Sequence, residues 1–183
     1  MSTPVRVLVI LLIAVAVVGT VLQQNAPTEL GVDDPMVGQT APPFELPVLP
    51  LVRGPEGLTD SLAGHHGQVV LLDFWATTCA PCRRSIPIIE RLRTRYGERG
   101  VEVLSINVDY PSENRDDLIR AFAISEALDS TILIDNGNTA YHYGARRIPL
   151  LVMVDRDGTI ARVYRGFHEY GVLADGVEAI LGG

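Results

Sequence analysis

Short apolar runs and amphipathic stretches alternate along most of this chain. Four runs are rich in hydrophobic residues and short enough to be buried strands: residues 69–75, 101–109, 131–135 and 150–155. A fifth strand is predicted over residues 159–164, because Arg156, Asp157 and Gly158 before it form a hairpin signal. The pattern therefore predicts a sheet whose last two strands form a hairpin.

Between these strands, apolar residues recur at the spacing of a helix face. The predicted helices cover three segments: residues 83–96, 115–128 and 171–181. Residues 138–143 are predicted to form one or two further helical turns. In the second helix four positions are predicted to face inward: Leu118, Ile119, Phe122 and Ala123. Strands alternating with helices predict an α/β fold with a mixed central sheet and helices on both faces.

The first third of the chain has a different pattern. Residues 7–22 are 16 residues without a charge, and Arg6 precedes them. Counted as residues 4–24, the segment is about 30 Å long as a helix, enough to cross a membrane. We therefore expect residues 1–24 to be an uncleaved anchor with its N-terminus in the cytoplasm, and a cleaved signal peptide is the alternative.

The segment after this anchor is expected to lead into one domain. Residues 25–35 are predicted to be a linker and residues 36–183 the folded domain. Within the domain, residues 44–46 are predicted to be a short edge strand and residues 58–62 a helical turn. His65 and His66 lack further ligands at a suitable spacing, so we expect solvated loop residues there rather than a metal site.

Composition narrows the function classes. The 183 residues suffice for one domain with a full core, and the formal net charge of −7 makes nucleic acid an improbable partner. All 15 basic residues are arginine, so a Schiff-base lysine and a phosphate-binding lysine are both excluded. The only two cysteines, Cys79 and Cys82, form a C-x-x-C motif.

The position of the two cysteines favours redox chemistry. They lie where a buried strand is followed by a helix N-terminus, and free N–H groups there stabilise a thiolate. A structural disulfide would close only a small loop, and a zinc site needs four ligands. Covalent haem needs a histidine after the second cysteine, where Arg83 stands. Asp73 is an acid inside an apolar strand, which is costly unless the carboxyl is paired or functional.

The ordered combination of motifs resembles the thioredoxin superfamily. The closest likeness is to the membrane-tethered extracytoplasmic branch typified by TlpA, ResA and the CcmG/DsbE proteins. It rests on residues 38–46 (GQTAPPFEL), residues 73–77 (DFWAT), the CAPC motif, Pro87, and Ile148 followed by Pro149. The resemblance implies a thioredoxin-like fold and a thiol–disulfide oxidoreductase without a metal or cofactor.

The same resemblance implies roles for individual residues. Cys79 is expected to attack a partner's disulfide, and Cys82 to resolve the mixed disulfide, with Asp73 accepting its proton. A cis bond before Pro149 is expected to present the backbone of Ile148 to an extended partner segment. Trp75 is expected to pack beside this site and bind the partner, or to be a plain core aromatic.

The resemblance also implies the setting. The expected partners are extracytoplasmic proteins that contain cysteine, and a membrane thiol donor of the CcdA/DsbD type is expected to supply electrons. Three positions depart from the family pattern. Thioredoxins have a lysine where Ser105 stands, and cytochrome-c-maturation members have a glutamate where Ser85 stands and often a tryptophan where Thr78 stands.

Several alternatives remain open from the sequence. The protein is expected to reduce disulfides in specific partners, with cytochrome c maturation as one setting, but a disulfide-forming oxidant uses the same motif. A copper-handling protein of the same fold is another alternative, although such proteins typically have a C-x-x-x-C spacing. A peroxidase is disfavoured because Leu72 and Ala76 stand where its proline and threonine are needed.

Overall fold

A central five-stranded sheet organises the molecule. The computed structural model describes residues 31–51 and 57–182. The strands lie in the order β5-β4-β3-β6-β7, with these bounds: β3 Val69–Trp75, β4 Val101–Asn107, β5 Thr131–Ile134, β6 Leu150–Val154 and β7 Ile160–Arg165. Two further strands, β1 (Glu45–Pro47) and β2 (Thr59–Ser61), form a separate antiparallel pair.

Strand β3 is the centre of the sheet. It pairs in parallel with β4 and antiparallel with β6, and every one of its seven residues is buried. Strand β5 extends the parallel half beyond β4, whereas β7 extends the antiparallel half beyond β6. The sheet is therefore mixed, as predicted. Burial of β3 on both faces explains why Asp73 is the only polar residue in this strand.

Among the described residues, four α-helices connect and cover these strands. Their bounds are α1 Ala80–Tyr96, α2 Arg115–Ser125, α3 Asn138–His142 and α4 Tyr170–Leu181. Side chains alternate along β3, so Val69 and Leu71 pack with residues of α1 and α4 such as Leu92 and Val177. Helix α1 begins three residues earlier than predicted and continues through Pro87 without interruption.

The opposite face of the sheet has a different cover. Val70 and Leu72 of β3 pack there with Ala41, with Leu46 of β1, and with Tyr143, which follows α3. Helices α1 and α4 thus cover one face. The other face is covered mainly by the antiparallel pair β1–β2, by the segment before β1, and by Tyr143 directly after the five-residue α3. The overall arrangement is that of a thioredoxin-like α/β fold.

Three local predictions are wrong. Leu118 is 52% exposed, because the buried stripe of α2 runs through Ile119, Phe122 and Ala123 and leaves the preceding position outside. The predicted helical turn over residues 58–62 is mainly strand β2, which pairs with β1. The two strands are well separated in sequence: the hydroxyl of Thr59 donates to Oε1 of Glu45, 14 residues earlier.

The prediction for His65 is wrong as well. It ends a short 3-10 turn and is held by two side chains: Nε2 lies 3.0 Å from Oδ1 of Asp60 and Nδ1 lies 3.1 Å from Oε1 of Gln68. His66 is exposed, as expected of a solvated residue. Asp60, the acid that binds His65, belongs to strand β2. The contact between His65 and Asp60 therefore depends on the pairing of β1 with β2, which the sequence pattern did not indicate.

The expected membrane anchor, residues 1–24, lies outside the described residues, as does most of the expected linker over residues 25–35. Across residues 31–51 and 57–182, no helix has the length and apolar character required to cross a membrane.

Candidate active site

The two cysteines lie where strand β3 is followed by helix α1. Cys79 is the N-cap residue of α1, and Cys82 lies in its first turn. The two form a disulfide with a distance of 5.2 Å between their Cα atoms. The backbone N–H of Cys82 donates to Sγ of Cys79 at 3.2 Å, so one N–H group of the helix end already points at this sulfur.

The two sulfur-bearing residues differ in exposure. Cys79 is half-buried at the rim of the site. Cys82 is buried, with 1% of its surface exposed, and it packs with Trp75 and Ile86 beneath the rim. A partner can therefore approach Cys79 before it could approach Cys82, which supports the order of attack that the resemblance implies.

The two arginines after the motif turn toward aromatic rings. The guanidinium carbon of Arg83 lies 5.0 Å from the ring centre of Phe122, and its Nε lies 3.4 Å from Oε1 of Glu126. The guanidinium carbon of Arg84 lies 4.7 Å from the ring centre of Phe167. Both positive charges lie on the first turns of α1. A lowered pKa of the reduced Cys79 thiol stays a prediction.

Asp73 is the buried acid that the sequence singled out. It is only 2% exposed, and its Oδ2 has no hydrogen-bond partner among the described residues. Burial, reinforced by the negative charge of Glu90, raises the pKa of Asp73 from its ordinary value of 3.8 to about 7. A carboxyl with that pKa can accept and release a proton near neutral pH.

The neighbour of Asp73 on strand β4 is Ser105, as the resemblance implied. Its hydroxyl lies 2.8 Å from the hydroxyl of Ser130, and the backbone N–H of Ser130 donates to Oε1 of Glu90 at 2.9 Å. The other carboxylate oxygen of Glu90 accepts from Nε of Arg93 at 2.7 Å. Two serines and a carboxylate thus stand on the side of Asp73 where thioredoxins place a lysine.

A small cavity brings Asp73 together with three other elements. It has a volume of about 10 Å³ and is lined by Asp73 of β3, Ser85 of α1, Pro149 before β6, and His168 after β7, among others. That volume is near the room that a single water molecule needs. The same cavity is lined by half-buried His168, so Asp73 and this histidine face one small space.

Ile148 and Pro149 lie where the resemblance implied. The peptide bond between them is cis. The carbonyl of Pro149 accepts a hydrogen bond from the backbone N–H of Gly166 at 2.8 Å, which ties this loop to the end of strand β7. Ile148 and Cys79 are both partly buried and pack against the same apolar cluster. The loop and Cys79 therefore lie at the same apolar cluster.

Trp75 lies in the core instead of at the rim. Its side chain is fully buried and stacks on Phe122 with a distance of 5.1 Å between ring centres. Its Nε1 has no hydrogen-bond partner in the described part of the chain. Burial favours the core-aromatic alternative: Trp75 supports Cys82 from below and offers no surface to a partner.

The sequence did not indicate a residue that fixes the loop before the cysteines. The carboxylate of Asp109 accepts the backbone N–H of Thr77 at 3.0 Å and Nδ2 of Asn107 at 2.9 Å. Oδ1 of Asn107 in turn accepts the N–H of Asp109 at 3.0 Å. Asp109 follows the parallel strand β4, and functional residues are common at the carboxyl ends of parallel strands. This position is the sequence signal that could have indicated a role for Asp109.

Over residues 31–51 and 57–182, no three side chains of His, Cys, Asp or Glu are grouped so that they could hold a metal ion. The chemistry that the described side chains offer is thiol–disulfide exchange with a buried acid nearby.

Comparison with known proteins agrees with this site. The model of the Redoxin family matches residues 36–180, and the chain belongs to this family. Relatives include the thiol-disulfide oxidoreductase ResA of Geobacillus thermodenitrificans, 33% identical over 159 residues, with 86% of this chain and 84% of that protein covered. The thioredoxin-like protein YneN of Bacillus subtilis is 32% identical, with 86% and 87% covered.

Solved structures give the same class. A structure described as a thiol:disulfide interchange protein DsbE from Chlorobium tepidum has a TM-score of 0.69 and 29% identity, covering 80% of this chain and 98% of its own. StoA from Bacillus subtilis, with a TM-score of 0.62 and 22% identity over 79% of this chain and all of its own, shares the fold. The protein is a thioredoxin-like thiol–disulfide oxidoreductase of the ResA/DsbE type, and Cys79 and Cys82 are its cysteine pair.

Proposed function

We propose that the protein is a membrane-anchored extracytoplasmic reductase of disulfides in specific partner proteins. The observation that carries the proposal is the grouping at one end of the sheet: half-buried Cys79, buried Cys82, the buried acid Asp73, and the loop of Ile148 and Pro149. These groups supply an accessible nucleophile, a shielded resolving thiol, a proton acceptor and a binding edge.

The first step uses reduced protein. The thiolate of Cys79 attacks one sulfur of the partner's disulfide, forms a mixed disulfide, and releases the partner's other sulfur as a thiolate, which takes a proton. The helix N-terminus favours the attacking thiolate, because free N–H groups and the helix dipole stabilise negative charge there. The N–H of Cys82 already points at this sulfur in the oxidised protein.

The second step releases the partner. Cys82 loses its proton to Asp73 and attacks the sulfur of Cys79, which breaks the mixed disulfide and expels the partner's second sulfur as a thiolate, which then takes a proton from water. The partner has then gained two electrons and two protons, and the protein holds the Cys79–Cys82 disulfide. A membrane thiol donor of the CcdA/DsbD type would return two electrons and restore the dithiol.

The loop before β6 is proposed to hold the partner during both steps. The backbone of Ile148 would pair with an extended segment around the partner's cysteine, as an added strand does at a sheet edge. The packing of Ile148 and Cys79 against the same apolar cluster supports this proposal.

The direction of electron flow is tested by the equilibrium reduction potential of Cys79 and Cys82. A reductase should have a potential nearer to the value of about −270 mV for thioredoxin than to about −120 mV for the oxidant DsbA. A value in the DsbA range would favour the disulfide-forming alternative. Tight Cu(I) binding by the reduced protein, with no exchange activity, would favour the copper-handling alternative.

The membrane location has its own test. If residues 1–24 are an uncleaved anchor, the protein should stay with membranes through salt washing and keep its N-terminal residues. A soluble mature form that begins between Gln23 and Pro27 would show a cleaved signal peptide instead. Cytochrome c maturation is proposed as one setting for the partners, although Ser85 replaces the glutamate usual in that pathway.

A further inference from the structure

Exposed basic residues surround the loop that is proposed to bind the partner. Arg146 and Arg147 directly precede Ile148, and both are exposed. Together with Arg165 and Ile148 they line an open cavity of about 480 Å³. A segment that docks along Ile148 must therefore pass within reach of these guanidinium groups, whose side chains are long and flexible.

Arg146 and Arg147 have no acidic partner within ion-pair distance among the described residues. Arg165 in the same cavity is already occupied, since its Nε donates to Oδ2 of Asp34 at 2.7 Å and its Nη1 donates to the carbonyl of Gly144 at 3.0 Å. Elsewhere in the described part of the chain, five arginines pair with carboxylates: Arg83, Arg93, Arg99, Arg115 and Arg120. Over residues 31–51 and 57–182, neither Arg146 nor Arg147 makes an ion pair or a side-chain hydrogen bond.

Two acids do lie on the far side of Arg146. Asp109 and Asp135 line a second open cavity with it. Their carboxylates already accept backbone hydrogen bonds, Asp109 from Thr77 and Asp135 from Thr139. These acids serve the loops at the ends of β4 and β5, and neither lies within ion-pair distance of Arg146. The positive charge beside Ile148 is therefore open to a ligand from outside.

The position of this charge relative to the reacting sulfur sets what it can recognise. Ile148 and Cys79 pack against one apolar cluster, so a partner cysteine at Cys79 lies close to the loop. An extended chain advances about 3.3 Å per residue, so side chains within a few residues of that cysteine come within reach of Arg146 and Arg147. The natural complement of two unpaired guanidinium groups is a pair of carboxylates.

We propose that this protein selects partner segments that carry aspartate or glutamate within a few residues of the target cysteine, with Arg146 and Arg147 as the residues that recognise them. The inference rests on the proposed function, because it names the substrate class of the same site. The net charge of −7 opposes acidic partners at long range, but salt screens that effect beyond about 8 Å at physiological ionic strength. The nearby charges of Arg146 and Arg147 then determine the preference for acidic segments.

The test uses the reduced full-length protein in neutral detergent, as the Cys82→Ser variant. Its substrates are peptides of one length with a single cysteine linked to 2-thiopyridine, which is an uncharged leaving group. Cys79 attacks the peptide sulfur, which gives a Cys79–peptide disulfide and free 2-thiopyridone. The peptides differ only in two flanking residues: Asp and Glu, Asn and Gln, or two Lys.

We expect the acidic peptide to react about fivefold faster than the amide peptide at low salt, and the Lys peptide more slowly than either, with the differences shrinking as salt rises. In an Arg146→Gln, Arg147→Gln double variant the acidic peptide should fall to the rate of the amide peptide. The amide peptide should keep its rate, which shows that the thiol chemistry is intact. Arg156→Gln is the matched control, since that exposed arginine lies in the β6–β7 turn at the other end of β6.

The outcomes separate the inference from the proposed function. If no peptide forms an adduct with Cys79, the thiol-exchange function itself fails. If all three peptides react at equal rates, or if Arg156→Gln removes the preference as strongly as the double variant, the inference is overturned while the function stands. Loss of binding to phosphatidylglycerol vesicles in the double variant, with no peptide preference, would assign the two arginines to a membrane surface and also overturn it.

Discussion

Asp73 and Ser105 lie directly opposite each other on the parallel strands β3 and β4. Thioredoxins place a lysine at the second position, and this chain has none. Ser105 instead joins Ser130, whose backbone is held by Glu90, and the negative charge of Glu90 adds to burial in raising the pKa of Asp73 to about 7. Burial is therefore the main cause of the raised pKa of Asp73, and the negative charge of Glu90 adds to it.

The raised pKa predicts a stability that falls with pH. The folded protein holds the proton of Asp73 up to about pH 7, whereas the unfolded chain releases it near 3.8. Stability is therefore greatest below the lower value and is lost as pH rises through the upper one, with a total of the order of 4 kcal/mol. Urea unfolding of the oxidised protein from pH 5 to pH 8 should show Asp73→Asn gaining stability relative to the wild type. Parallel curves for the two proteins would contradict the buried-acid assignment.

The same acid should matter for one chemical step only. Asp73→Asn should slow the release of a mixed disulfide at pH 7 by about tenfold or more, because Cys82 loses its proton acceptor, and should leave the initial attack by Cys79 nearly unchanged. Stopped-flow kinetics with a thiol-labelled peptide separates the two steps. Ser85→Ala is the control, since it lines the same cavity and carries no acid. An equal slowing of both steps would make Asp73 a structural residue.

Glu90 should set where Asp73 titrates. Glu90→Gln removes the negative charge and keeps one acceptor oxygen, so it can retain either the hydrogen bond from the N–H of Ser130 or that from Nε of Arg93. The pKa of Asp73 should fall, so the pH profile of the resolving step should move to lower pH. The control is Asp129→Asn, because Asp129 pairs with the same arginine at 2.7 Å but is 76% exposed. A profile that moves equally in both variants would assign the effect to Arg93.

The sheet and the reacting cysteine pair could be predicted because each is recognisable from residues that are close together in the sequence. Strand β3 is an apolar run interrupted only by Asp73, and Cys79 and Cys82 mark its junction with α1. The cis bond before Pro149 came from the family resemblance alone, since a proline at the start of a strand is otherwise unremarkable. Strand β2 was missed because its partner β1 lies elsewhere in the sequence.

Contacts between distant segments explain the rest of what the sequence left out. The bond from Thr77 to Asp109 joins residues 32 apart, and the bond from Ser130 to Glu90 joins residues 40 apart. Leu118 was placed inward because one apolar residue beside a buried stripe fits two faces equally well until the neighbours of the helix are known. Packing, and not local preference, decides such positions.

Asp109 should fix the loop that carries Cys79. Asp109→Ala leaves the N–H of Thr77 without its acceptor, which should cost about 1 to 3 kcal/mol of stability and should speed hydrogen exchange at the Thr77 amide. Asp135→Ala is the matched control, because it frees N–H groups of helix α3 instead. If exchange at Thr77 is as slow in Asp109→Ala as in the control, Asp109 does not hold this loop.

The central claim is that Cys79 attacks and Cys82 resolves, and trapping in cells tests it most directly. Without Cys82 the mixed disulfide has no intramolecular exit, so a full-length Cys82→Ser protein should accumulate covalent adducts that dissolve on adding a reductant. A Cys79→Ser protein should accumulate few, because Cys82 is only 1% exposed. More adducts on Cys79→Ser than on Cys82→Ser, or none on either, would contradict the account.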